Sequence, residues 1–208
     1  MWRFFDFLFP PRVDEIQLRD IARDTFLALM EPRLVPGTVP GTVALLSYGD
    51  ARVRAAIHEA KYRGNEYAFD LLAATLADYL LDCDDVGRRT SYIVVPVPLG
   101  KKRHTERGFN QVEELAKRAA KQLGGAVDAM LLVRTRETAS QVSLPRHARL
   151  ENMRGAFRVA QDAAHSIDPA RTYIVIDDVI TTGATLQAAI VALRDAGAVH
   201  IVPLALAH

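Results

Sequence analysis

With one cysteine, Cys83, in 208 residues, the chain can form no internal disulfide and no zinc site built from several thiolates. It also lacks a charge excess of either sign. Its 26 basic and 25 acidic residues leave a formal charge of +1, so only local clustering can point to a charged partner. No apolar run approaches the roughly 20 residues that cross a bilayer as a helix, and no membrane role is expected. The six histidines show no metal-ligand spacing. The start, Met1 to Pro10, is aromatic but short, carries Arg3 and Asp6, and lacks a small-residue cleavage site. It reads as a docking segment rather than a signal peptide, and the cytoplasm is the expected compartment.

What is present is a chain long enough, at 50% hydrophobic residues, for one well-buried core. Helical periodicity covers residues 14–33 through Ile16, Ile21, Phe26 and Leu27, and a Pro- and Gly-rich loop follows to residue 42. A short apolar stretch from Val43 leads to a helix begun at Gly49-Asp50 and ended near Tyr62, then to another over Glu66 to Leu81. From Tyr92 the pattern becomes strand–helix alternation. Apolar runs at Tyr92 to Pro98, Ala129 to Val133, Phe157 to Val159, Tyr173 to Ile176 and Val199 to Leu206 read as strands. Helices are expected over residues 110–123 and 185–196, and residues 134–155 show no clean period. The expected class is α/β, a mostly parallel twisted sheet flanked by helices with a mainly helical N-terminal region. The organisation reads as a docking segment over 1–42 and one domain over 43–208.

The sharpest pattern is Tyr173-Ile-Val-Ile-Asp-Asp-Val-Ile-Thr-Thr-Gly-Ala-Thr185. A buried strand delivers two carboxylates, then a hydroxyl- and glycine-rich turn opens a helix. Thr181, Thr182, Gly183, Ala184 and Thr185 would offer hydroxyls and backbone N–H groups at a helix N-terminus, which suits a phosphate. Asp177 and Asp178 would repel that phosphate, so their neighbours should be sugar hydroxyls or a metal. Phosphate at the turn and sugar at the acids describes a ribose 5-phosphate. No GxxxxGK[ST] or GxGxxG loop competes.

This segment resembles the phosphoribosyl pyrophosphate signature of type I phosphoribosyltransferases: four mostly apolar residues, two acids, two apolar residues, then Thr-Thr-Gly-x-Thr. Pro96 to Gln111, Ala60-Lys-Tyr-Arg-Gly64, Ser140-Gln141 and Arg149 to Phe157 resemble the ComF-type competence family within that superfamily. The likeness covers about residues 45–208. Phe9-Pro-Pro11 is present, but the cysteines of the zinc element that often follows it in that family are not, so no zinc is expected. The resemblance implies the type I phosphoribosyltransferase fold, phosphoribosyl pyrophosphate as substrate and Mg²⁺ as cofactor. It also implies a phosphoribosyl transfer to a nucleobase or amine with release of pyrophosphate.

By the same resemblance Asp177 and Asp178 are the catalytic acids, holding the ribose and, directly or through water, the metal. Lys101, Lys102, Arg103 and Arg107 form the pyrophosphate loop, where cations neutralise the leaving group. Arg134, Arg136, Ser140 and Gln141 belong to a flexible loop closing over the substrate. Asn110 reads equally as a helix cap, and Lys61 reads first as a surface lysine, with reach to a phosphate as the alternative. Hypoxanthine/guanine-type members place an acid where Thr181 stands, so its absence argues against that specificity, although other members have Thr or Ala there, and the acceptor stays open. Two other readings stay open beside the enzyme. One is a non-catalytic phosphoribosyl pyrophosphate-binding regulator, the other an accessory factor in DNA uptake during natural transformation, handling single-stranded DNA or partnering a DNA-uptake helicase. Stacking aromatics are not interleaved with the basic residues along the chain, which weakens direct DNA contact. A homodimer is expected by analogy with the superfamily.

Overall fold

The computed structural model describes residues 13–83, 92–136, 145–161 and 167–208. The aromatic start and the expected loop residues Ser140 and Gln141 lie outside the described residues.

A six-stranded sheet forms the centre, in the order β1-β2-β8-β7-β3-β4. Its strands are β1 (Arg33–Leu34), β2 (Val43–Leu46), β3 (Tyr92–Pro96), β4 (Ala126–Val127), β7 (Thr172–Val179) and β8 (His200–Ala207). All neighbours pair parallel except β1 with β2. The two longest strands, β7 and β8, are buried on both faces, which explains their near-continuous apolar sequence. Alternate residues feed two cores. Ile174, Ile176, Leu204 and Leu206 point to one face, where α3 (Ala51–Arg63), α4 (Glu66–Asp82) and α6 (Gln111–Leu123) pack. Tyr173, Val175 and Ala205 point to the other, against α8 (Ala184–Asp195) and a two-stranded antiparallel sheet of β5 (Leu132–Arg134) and β6 (Phe157–Val159).

The α/β class and mostly parallel sheet expected from the alternation are therefore present. Four local readings change. The stretch 14–33 is not one helix but two, α1 (Val13–Arg19) and α2 (Arg23–Leu27), broken at Asp20 to Ala22. The break lets both Leu18 and Phe26 enter the first core. The basic segment after β3 is a helix, α5 (Lys101–Arg107), bounded by Gly100 and by a left-handed Gly108. Residues 134–155 are not wholly irregular, because α7 (Arg146–Met153) starts after Pro145. The Ala129–Val133 strand is displaced to β5, and Ala126–Val127 forms the sheet's edge.

One feature of the connectivity positions the site. From β3 the chain crosses through α6 on one face to β4; from β7 it crosses through α8 on the other face to β8. The direction of winding thus reverses between β3 and β7, which are adjacent. In open parallel sheets this reversal opens a crevice at the carboxyl ends of the two strands.

Candidate functional site

The crevice is a cleft of about 760 Å³. Val97, Pro98 and Leu99 enter it from the end of β3, and Asp177, Asp178, Ile180 and Thr181 from the end of β7. Asn110 fixes the β3 side: its Oδ1 accepts from the N–H of Val112, capping α6, while its Nδ2 donates to the carbonyl of Val97 at 3.1 Å. The cap reading of Asn110 therefore fits its position.

Three elements converge on one carboxylate. Lys61 Nζ, in the last turn of α3, lies 2.8 Å from Asp178 Oδ2. Gln111, the first residue of α6, donates through Nε2 to the same oxygen at 2.8 Å. Asp178 Oδ1 accepts from the N–H of Val179 at 2.7 Å. Arg107, at the end of α5, extends the chain by donating to Gln111 Oε1 at 2.9 Å. Lys61 reaches this position because Asp50 caps the start of α3 and Gly64 ends it in a left-handed conformation. Lys61 is therefore not a plain surface lysine, as the sequence alone suggested. Its partner lies 117 positions away, beyond the range of any local pattern.

The two acids are electrostatically unequal. Burial pushes the Asp177 carboxyl up, and the neighbouring Asp178 charge adds to the rise, bringing it to about 7. Burial acts on Asp178 in the same direction. There the Lys61 ammonium, supported by the Val179 and Gln111 donors, outweighs it and holds the carboxyl below its ordinary value. Asp177 is half-buried and Asp178 is 8% exposed.

Beyond the acids, Gly183 starts α8 with φ +75° and no side-chain cap. Thr181 and Thr185, on either side of this helix start, line the cleft, and the N–H of Ala184 donates to Thr182 Oγ1 at 3.4 Å. A Cβ at Gly183 would come within 2.9 Å of Thr38 Cβ and Cγ2, so both dihedral and space require glycine. Thr38 belongs to the loop between β1 and β2 and is tied by its hydroxyl to the carbonyl of Val35 at 2.7 Å. Arg149 of α7 donates to Thr181 Oγ1 at 3.3 Å.

The basic residues separate by position. Arg103 and Arg107, one turn apart on α5, line the cleft, whereas Lys101 and Lys102 are exposed and are not among its lining residues. Arg134 lines the cleft from β5, with its guanidinium 5.6 Å from the centre of the Phe157 ring. Arg136 instead donates to the carbonyls of Asn152 and Arg154, both at 3.0 Å, and closes the end of α7. Sequence reasoning missed Tyr48, Tyr62 and Gln111, all of which line the cleft. Tyr62 stands beside Lys61 in a segment already singled out, but nothing local says which way its ring faces.

No family model matches the chain. It is 34% identical over 131 residues to the DNA utilization protein YhgH of Salmonella typhimurium, covering 62% of this chain and 56% of that protein. It is 32% identical over 108 residues to competence protein F of Haemophilus influenzae, covering 52% and 46%. Competence protein ComFC of Streptococcus pneumoniae is 30% identical over 137 residues, covering 64% and 56%. The chain spans about half the length of the curated relatives it matches. It is thus similar, over the greater part of its own length, to proteins named for competence and for DNA utilization.

Proposed function

We propose that the chain is a ComF-type protein with the type I phosphoribosyltransferase fold, which binds phosphoribosyl pyrophosphate in the cleft between β3 and β7. One observation carries the reading: the acid pair and the hydroxyl-rich start of α8 meet in a single crevice at the point where the sheet reverses its winding. The 5-phosphate would sit on the first turn of α8 with Thr181, Thr182 and Thr185 around it, where N–H groups and the helix dipole favour an anion. The ribose hydroxyls would donate to Asp177, the more open acid. The pyrophosphate would face Arg103 and Arg107 across the cleft. The cleft volume lies within the range usual for small-molecule sites.

The residues present fit Mg²⁺ in a restricted way. Asp178 already meets Lys61 and Gln111 at Oδ2 and the N–H of Val179 at Oδ1, so most of its accepting capacity is taken. Mg²⁺ commonly uses one or two carboxylates together with substrate phosphates and waters, and Asp177 meets that need. When bound, the ion would help neutralise the departing pyrophosphate. The protein's own part is to hold the 5-phosphate far from the reacting carbon and use that binding energy to orient C1. A nitrogen nucleophile then forms the new bond to C1 as the C1–O bond breaks and pyrophosphate leaves with the bonding pair.

Calorimetric titration of phosphoribosyl pyrophosphate with Mg²⁺ tests the reading. Binding to the unaltered chain is expected, with a loss of at least about tenfold on Asp177→Asn, the loss of one charge-assisted hydrogen-bonding partner. Unchanged affinity in an Asp177→Asn/Asp178→Asn protein would refute the site. Pyrophosphate release across a panel of bases and amines then separates an enzyme from a regulator that binds without turnover. The names of the relatives favour a role in DNA uptake, for which the cleft would serve either as an active site or as a sensor.

A further inference from the structure

We propose that Asp14, His58 and Tyr48 form a proton relay opening into the cleft, with Tyr48 as a catalytic residue and His58 and Asp14 as the residues that position it and carry its proton away. This deepens the phosphoribosyl reading and rests on it, because a nitrogen nucleophile that carries an N–H must shed a proton as it bonds to C1.

The three groups come from separate places in the chain. Tyr48, between β2 and α3, lines the cleft. Its main chain is pinned on both sides: its N–H donates to the carbonyl of His208 at 3.0 Å, and its carbonyl accepts from Arg54 Nη1 at 3.1 Å. The Tyr48 hydroxyl lies 3.5 Å from His58 Nε2. At the other ring nitrogen, His58 Nδ1 lies 3.5 Å from Asp14 Oδ2. Helix α1, which carries Asp14, is anchored by the buried Leu18. Tyr62 meets the His58 ring edge-on, with centroids 5.7 Å apart. The other charged groups nearby have partners of their own. Arg54 serves the carbonyls of Tyr48 and Gly49, Lys61 serves Asp178, and Arg107 serves Gln111.

The order is carboxylate, imidazole, hydroxyl, with the hydroxyl on the cleft side. A neutral imidazole that donates from Nδ1 to the carboxylate presents Nε2 to the hydroxyl as an acceptor. Both contacts are at the long end of the hydrogen-bond range, as is common in unliganded sites that tighten around a substrate. As the nucleophile's nitrogen bonds to C1, its N–H proton passes to Tyr48 Oη and the phenolic proton passes to His58 Nε2. The imidazolium left beside the Asp14 carboxylate then gives its proton to water, since the His58 side chain is 47% exposed. Pyrophosphate leaves with the C1–O bonding pair, so atoms and charge balance. Other groups in the cleft are less suited to this task. In the phosphoribosyl reading Asp177 meets the ribose, Asp178 is engaged by Lys61 and Gln111, and Thr181 Oγ1 accepts from Arg149. Among the described residues His208, which also lines the cleft, has no side-chain partner to orient its imidazole.

The test uses the full chain with phosphoribosyl pyrophosphate, Mg²⁺ and ammonia, adenine or uracil as the probe nucleophile. Pyrophosphate release gives the rate, and calorimetry gives the donor affinity. Tyr48→Phe and His58→Ala should each lower kcat about 100-fold and Asp14→Asn about tenfold, with donor affinity within about twofold. Free imidazole should raise the His58→Ala rate at least about tenfold and leave Tyr48→Phe unchanged. His58→Gln can still accept from the Tyr48 hydroxyl but cannot carry a proton onward, so it should stay as slow as His58→Ala. A His58→Gln rate near that of the unaltered chain, no response to imidazole, or an unchanged kcat in Tyr48→Phe overturns the relay. So does a loss of donor affinity in Tyr48→Phe as large as its loss of rate, which would make the tyrosine a support of the cleft wall. Donor binding without pyrophosphate release to any probe rejects the relay and leaves the cleft reading standing. No donor binding by the unaltered chain rejects both.

Discussion

Lys61 is the residue on which the charge balance of the cleft turns. Its side chain is 21% exposed and that of Asp178 12%, so the pair is partly shielded from water. Removing only the cation leaves an enclosed carboxylate without its main compensating charge. Lys61→Met should cost about 2 kcal/mol, below the usual figure for a fully buried pair because water still reaches the site. Adding Asp178→Asn to that variant should recover most of the loss, measured as a double-mutant cycle in urea. Asp177 makes the opposite contribution. Its folded carboxyl titrates at about 7, above the ordinary 3.8, so between those values the native state binds more protons than the unfolded chain. Stability from this group therefore falls as pH rises from about 4 to about 7. Asp177→Asn should flatten that decline and melt higher than the unaltered chain above pH 7, while below about pH 4 the two should converge. Thermal melts across pH check this. Asp177 and Asp178 stood out in the sequence because strand, acids and turn are contiguous. The role of Lys61 was hidden, because its partner Asp178 comes from β7, far along the chain. Arg136 was read as a loop cation for the same reason, since the carbonyls it serves come from the end of α7.

At the scale of elements, the turn between β7 and α8 is the least tolerant of change. Gly183→Ala adds a side chain at φ +75° and brings its Cβ within 2.9 Å of Thr38. A residue with a side chain in the left-handed region costs about 1 kcal/mol on its own, and the contact with Thr38 should raise the total to about 2–3 kcal/mol. Thr38→Gly in the same background should recover only the steric share, as judged by chemical denaturation. The glycine was evident from the motif, but Thr38 was not, because it reaches the turn from an irregular loop across β2. Helix α5 was read as a loop through the resemblance to a pyrophosphate loop, although Gly108 supplied the sign of a helix end. Between α4 and α6, Arg118 bonds Glu66, Asp70 and Glu114 at 2.6–2.8 Å and covers the Phe69 ring at 5.2 Å. The three acids are well exposed, so Arg118→Ala should cost only about 1 kcal/mol, mostly from lost cover over Phe69. High salt should change that difference little.

Over the whole molecule, ligand binding should appear as stability. If phosphoribosyl pyrophosphate occupies the cleft only in the folded chain, a ligand concentration one hundredfold above Kd adds about 2.7 kcal/mol. The melting temperature should then rise with the donor and Mg²⁺, and the rise should vanish in Asp177→Asn/Asp178→Asn. An equal rise in that variant would move the ligand elsewhere. Among the described residues, no helix is long and apolar enough to cross a membrane. The alternation of apolar strands and amphipathic helices was enough to indicate a parallel sheet, since period-2 and period-3.6 patterns follow from local backbone geometry.

The sequence alone determined the central strands, the acid pair, the hydroxyl-rich turn and the glycine between them. Each is set by neighbours a few residues apart, within reach of backbone preference and hydrophobic period. Only the tertiary structure decided which acid carries the charge, which of the basic residues face the cleft, and that Tyr62 stands among them. Those properties depend on side chains delivered from opposite ends of the chain, where Coulomb attraction and desolvation act through space and leave no local pattern.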